Sequence, residues 1–161
     1  MAGRAKRADE SSCDVGHGDQ YFSADVMFAS VRVISIRISN WEYCHGTPHG
    51  HGGTNSFTYL TEPAIRPLEA SDLFERGSGW EDFLGRRSYE AIVKKAKGAK
   101  VDEHHVGNVA VDVHRWTLTK NGLLLTFDPY ELLSYARGTT EVVIPWSDLA
   151  PFLAAHASIP R

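Results

Sequence analysis

The first regular pattern of apolar and polar positions lies at Val31 to Ser39, where Ile34, Ile36 and Ile38 alternate with Arg37 and Ser39. A period of two predicts a strand with the isoleucines on its apolar face. Past Asn40 the large side chains Trp41 and Tyr43 fall on the opposite parity, which predicts a bulge or turn there. The stretch CHGTPHGHGG, residues 44–53, is rich in Gly, Pro and His and reads as a loop. Ser56 to Leu60 predicts a short strand, Pro63 to Pro67 a turn, and Leu68 to Phe74 one helical turn. The strongest helical signal follows: Ser78 and Glu81 form a capping-box pattern, and Trp80, Phe83, Leu84, Ala91 and Ile92 form a broad apolar stripe. Lys94, Lys95 and Lys97 suit the negative end of that helix, and Gly98 its stop.

Residues 99–106 read as a polar connection, and Val109, Val111 and Val113 as a strand that Trp116 and Leu118 continue. Asn121-Gly122 predicts a tight hairpin, because both residues tolerate positive φ, with Leu123, Leu125 and Phe127 on the return strand. Gly138 suits a backbone conformation other residues resist, and it precedes a strand over Glu141 to Ile144 that Pro145 ends. Ser147 to Leu153 predicts a short helix capped by Ser147 or Asp148. Strands and helices are segregated, so the expected class is α+β: an antiparallel sheet with one main helix packed on it and a short C-terminal helix.

With 161 residues the chain suits one domain, expected over 21–155, with tails at 1–20 and 156–161. A net charge of −3 without a basic stripe argues against nucleic acid. No apolar run is long enough to cross a bilayer, and Met1 to Asp19, with Arg4, Lys6 and Arg7, lacks the apolar core of a secretory signal. Cys13 and Cys44 permit one pairing, which would close a loop of about thirty residues and contribute roughly 3 kcal/mol; two unpaired thiols fit the sequence equally.

The sharpest chemical candidate is a metal site at His45, His49 and His51 beside Cys44, since imidazole and thiolate are zinc and copper ligands. The spacing matches no standard zinc module, and so many glycines give no preorganised site. A solvated loop is therefore the stronger reading, and no cofactor is expected. His104-His105 read as exposed surface and His114 as a strand residue. No Gly-x-Ser-x-Gly elbow is present, and adjacency of Cys44 to His45 does not supply the geometry of a nucleophilic pair. No catalytic residue is assigned. Trp41, Tyr43, Tyr130, Tyr135 and Trp146 have the makeup of interface anchors, although core packing explains such residues as readily. The partner-binding candidates are Tyr43, His45, His49, Tyr130 and Tyr135, and the loop 44–55 and the turn 128–138 are the segments where a partner is first sought.

The ordered series Asp72-Leu73-Phe74, Asn121-Gly122-Leu123, Phe127 with Tyr130, Tyr135-Ala136-Arg137-Gly138 and Ile144-Pro145-Trp146-Ser147-Asp148-Leu149 resembles the RsiV-like domain, DUF3298, of bacterial anti-sigma factors and envelope proteins. The likeness runs over roughly residues 22–153, and Gly46, Pro48 and His49 stand near the family's Gly-Ala-His-Pro stretch in a shuffled order. The resemblance implies an α+β fold, a periplasmic or other extracytoplasmic location, and binding rather than catalysis. The implied partner is a protein, with lysozyme the ligand of the best understood relatives, or a cell-wall component. Members usually carry a preceding strand-and-helix region and a membrane anchor. Neither stands out here, so the chain is expected to be a piece of a longer protein, with membrane contact only through such an anchor. Two other readings stay open: a metal-assisted hydrolase using His45, His49 and His51, and a structural accessory domain.

Overall fold

The computed structural model describes residues 18–159. Two antiparallel sheets and two packed helices make up an α+β fold, as the segregation of patterns predicts. The first sheet has strand order β1-β2-β3-β4, formed by Gly18–Ala29, Val33–Cys44, His51–Leu60 and Arg66–Pro67. The second has order β5-β6-β7, formed by Trp116–Thr119, Gly122–Phe127 and Thr140–Pro145. Helices α1 (Trp80–Ala96) and α2 (Glu103–Ala110) lie between the sheets in sequence, and α3 (Trp146–Leu149) follows β7.

The first sheet is longer than its apolar pattern suggests. β1 begins at Gly18, ahead of Tyr21, and β3 begins at His51, inside the glycine-histidine stretch read as a loop. β2 runs through Trp41 and Tyr43 to Cys44, paired without a break with β1 over this stretch and with β3 as far as Glu42, so the expected bulge is absent there. The irregularity lies in β1, between Val26 and Phe28. The buried face of β2 carries Val33 and Ser35, while Ile34, Ile36 and Ile38 are only half-buried on the reverse face. Hydrophobicity picked the wrong face because the junction between sheets is built from hydroxyls. Ser35 Oγ meets Thr58 Oγ1 at 2.8 Å and accepts the Leu118 N–H at 2.9 Å, and Ser56 Oγ meets Thr117 Oγ1 at 2.5 Å. Buried polar groups are tolerated where they satisfy one another.

The main core lies between the second sheet and the helices. Trp116, Leu118, Leu123, Leu125, Val142 and Ile144 share one face of that sheet through their register, and all are buried. Against it α1 packs Trp80, Leu84, Ile92 and Ala96, and α2 packs Val106 and Ala110. Phe74 stacks on Trp80 at 4.7 Å, and both meet the Trp116 ring edge-on. The Asp72-Leu73-Phe74 segment is thus a core plug. Leu73 is fully buried, its carbonyl accepts the Ala154 N–H, and the Asp72 carboxylate grips Arg66 with two hydrogen bonds of 2.7 and 2.5 Å.

Several local expectations are corrected. Val109 and Val111 are not in a strand: residues 103–110 form α2, because Asp102 caps its first turn through the His105 N–H at 3.1 Å and Val106 and Ala110 share a helical face. His104 and His105 therefore sit on a helix, and His114 lies in the 3-10 turn Val113–Arg115. Ser78 does not cap α1; Gly79 at φ 83 holds that position, and the Ser78 hydroxyl turns to the Phe152 carbonyl. The C-terminal helix follows Pro145 without a side-chain cap from Ser147 or Asp148. Neither Asn121 nor Gly122 adopts positive φ; Lys120 and Asn121 form the two-residue link, and the Thr119 hydroxyl accepts the N–H groups of Asn121 and Gly122. Gly122 is needed for a different reason, since a Cβ there would stand 2.2 Å from the Ile144 carbonyl oxygen.

Candidate recognition cleft

The loop and turn expected to carry partner contacts meet in space. β6 ends at Phe127, and the segment after it folds back over the glycine-rich start of β3. Three charged side chains fix this arrangement. Arg115 Nη1 donates to Asp128 Oδ2 at 2.8 Å, and its Nη2 donates to Glu131 Oε1 at 2.6 Å. Asp128 Oδ1 accepts the Thr54 N–H at 2.9 Å, which ties the turn to β3. Glu131 Oε2 accepts the Asp128 N–H at 2.9 Å and closes the turn on itself. Burial works against the Arg115 charge, but the bonds to Asp128 and the nearby Glu131 outweigh it and hold the guanidinium above its ordinary pKa. Tyr130 accepts the strain of this turn, with φ 69, and its N–H bonds the Leu133 carbonyl at 2.9 Å.

His49 joins the two segments. Its ring stacks on Tyr135 at 4.2 Å, and Tyr130 lies 5.6 Å from Tyr135. Its Nδ1 lies 2.9 Å from the Gly50 carbonyl and its Nε2 3.0 Å from the Tyr130 hydroxyl. A neutral ring with the proton on Nδ1 satisfies both: it donates to Gly50 and accepts from Tyr130. On the other side Trp41 stacks with Tyr43 at 6.1 Å, and Tyr43 meets His45 at 5.8 Å. The glycines make this packing possible. A Cβ on Gly50 would stand 2.4 Å from the Trp41 ring, and one on Gly52 would stand 2.1 Å from the Asn40 carbonyl.

Between these groups lies a cleft of about 610 Å³, walled by Tyr21, Trp41, Tyr135 and Arg137 and floored by Gly52 and Gly53. Tyr21, Trp41 and Gly52 are register partners across β1, β2 and β3, so they form one row at the end of the sheet. No carboxylate, imidazole or thiol is among the residues that line it. Its chemistry is flat aromatic surface, hydroxyl and amide groups, and a single guanidinium. Trp41, singled out as an anchor, is 39% exposed, and Tyr130 is 63% exposed. Trp146 is a packing residue instead, its indole N–H donating to the Thr119 carbonyl at 2.9 Å.

The three candidate metal-binding histidines do not converge. His45 Nε2 faces Asp19 at 3.4 Å, His51 Nε2 faces Glu42 at 4.0 Å, and His49 is engaged with the two tyrosines. Among the described residues no group of three or more His, Cys, Asp or Glu has an arrangement suited to a metal ion. Cys44 ends β2, while Cys13 lies outside the described residues. Tyr21, Arg137 and the Arg115–Asp128–Glu131 network escape the sequence reading. Tyr21 enters only through strand pairing, and Arg115 stands 13 and 16 residues from the two acids it joins.

Residues 71–147 match the model of DUF3298, described as a protein family of unknown function. No curated protein matches the chain. Two crystal structures of DUF3298 proteins share the fold. One, from Bacteroides fragilis NCTC 9343, has 19% identity and a TM-score of 0.65, over 86% of this chain and 55% of that one. The other, from Pseudomonas aeruginosa PAO1, has 19% identity and a TM-score of 0.66, over 93% of this chain and 67% of that one. The chain thus spans little more than half the length of the Bacteroides protein. The family match runs from the core plug at Asp72 to the start of α3, and through this segment the chain is similar to DUF3298, a family whose function is unknown.

Proposed function

We propose that this domain is a non-catalytic recognition module of the bacterial cell envelope, and that it docks a cell-wall ligand in the aromatic cleft. One observation carries the reading: the cleft presents aromatic faces and one cation, and no carboxylate, imidazole or thiol is among its lining residues. The family resemblance supports an extracytoplasmic setting. Lysozyme, the protein ligand that resemblance implies, is the natural comparison. Sedimentation of the purified domain with peptidoglycan sacculi, alongside a binding titration against c-type lysozyme, tests the proposal. Binding to sacculi that Tyr135→Ala weakens at least tenfold is the expected result. No binding to sacculi refutes it, and tight lysozyme binding in its place assigns the domain a protein partner.

A further inference from the structure

Resting on that reading, the cleft's lining narrows the ligand further: we propose that it takes a carboxylate-bearing saccharide, whose sugar faces lie on Trp41 and Tyr135 and whose carboxylate pairs with Arg137. The aromatic part of the argument is geometric. Trp41 is held flat by the bare backbone of Gly50 and by stacking on Tyr43, and Tyr135 is held by His49 on one ring face. Both rings are positioned before any ligand arrives, so little ordering cost opposes binding. Flat, amphipathic rings suit a pyranose, which has apolar C–H faces and a polar rim. The polar lining, Ser39, Asn40 and Thr139, can serve that rim.

The charge part rests on Arg137. Among the described residues it is the only charged one lining the cleft, and it is exposed. Among the described residues its guanidinium makes no ion pair, and the hydrogen bond it donates is a long one, 3.4 Å to the Lys95 carbonyl. The arginines that build the fold are satisfied differently: Arg66 grips Asp72, and Arg115 grips Asp128 and Glu131. A guanidinium without an ion pair, on a residue lining a cleft whose lining residues include no acid, favours a negatively charged ligand, and its fork matches a carboxylate. The cations nearby reinforce this. The Lys95 ammonium bonds the Glu141 carbonyl, and the Glu141 carboxylate is already taken by Arg37 at 2.6 Å.

Two disaccharides of the same size test the assignment. N-acetylglucosaminyl-N-acetylmuramic acid carries a lactyl carboxylate, and di-N-acetylchitobiose does not. Titration calorimetry on the intact chain should show the acid binding at least tenfold more tightly. Arg137→Ala should remove that preference by lowering the affinity for the acid to that for the neutral sugar, while Trp41→Ala weakens both. Arg137 is exposed, so its variant should keep the wild-type thermal midpoint; Tyr135→Ala serves in place of Trp41→Ala if the latter does not fold. Equal affinity for the two sugars overturns the proposal, as does a preference that survives Arg137→Ala or an absence of binding to either. If sacculi still bind the wild type and both variants equally, the cleft assignment fails while envelope recognition stands. If sacculi do not bind the wild type, the broader reading fails as well.

Discussion

Replacing Arg115 by Met tests whether one half-buried cation organises the cleft. The three side chains are largely shielded, with exposures of 20% for Arg115, 18% for Asp128 and 17% for Glu131. Methionine keeps the length and apolar stem but leaves two carboxylates facing each other without a counter-charge. Stripping one partner from a fully buried ion pair costs about 3–5 kcal/mol, and the residual exposure here lowers the expectation to roughly 2–4 kcal/mol. For a domain of this size that corresponds to a fall in midpoint of roughly 5–12 °C. Urea unfolding at neutral pH measures the loss directly. Adding Asp128→Asn and Glu131→Gln removes the orphaned charges while keeping oxygen acceptors for the Thr54 and Asp128 N–H groups, so the triple variant should be more stable than Arg115→Met alone. A loss below about 0.5 kcal/mol, or a triple variant no better than the single one, would show that Arg115 is a solvated surface charge.

Other outcomes follow from the same contacts. Arg66 and a backbone N–H hold the Asp72 carboxyl below its ordinary pKa, so its stabilisation is complete at neutral pH and disappears as the pH drops through that lowered value; Asp72→Asn should cost about 1 kcal/mol at pH 7 and flatten the acid limb of the stability profile. Gly122→Ala should destabilise by about 2 kcal/mol or more in thermal unfolding, because the added Cβ collides with the Ile144 carbonyl across a central strand. Ser56→Ala should cost roughly 1–2 kcal/mol, since it leaves the buried Thr117 hydroxyl without its partner, and Ser56→Ala with Thr117→Val should recover part of that loss.

The second half of the chain was legible wherever local and tertiary preferences agree. Trp116, Leu118, Leu123 and Leu125 alternate because one face of their sheet meets helices, and the apolar stripe of α1 marks the surface that covers it. Gly138 does adopt positive φ, as its position suggested. The failures have specific causes. Val109 and Val111 alternate with polar residues, but Asp102 supplies a helix cap and the short helix buries a valine and an alanine four apart, a period that a reading in twos overlooks. In β2 the isoleucines mark the outer face because the inner one is closed by paired hydroxyls, and no single strand carries information about its partner's side chains.

By itself, then, the order of residues determined the α+β class, the β5–β6 hairpin and the main helix, because each rests on interactions between near neighbours. Whether the loop 44–55 meets the turn 128–138 was decided only in three dimensions. A salt bridge from Arg115 to Asp128 and Glu131 folds the turn over β3, bare glycine backbone lets Trp41 lie flat, and strand pairing brings Tyr21 alongside it. Such contacts depend on where the chain returns in space, which the local pattern of polar and apolar residues does not encode.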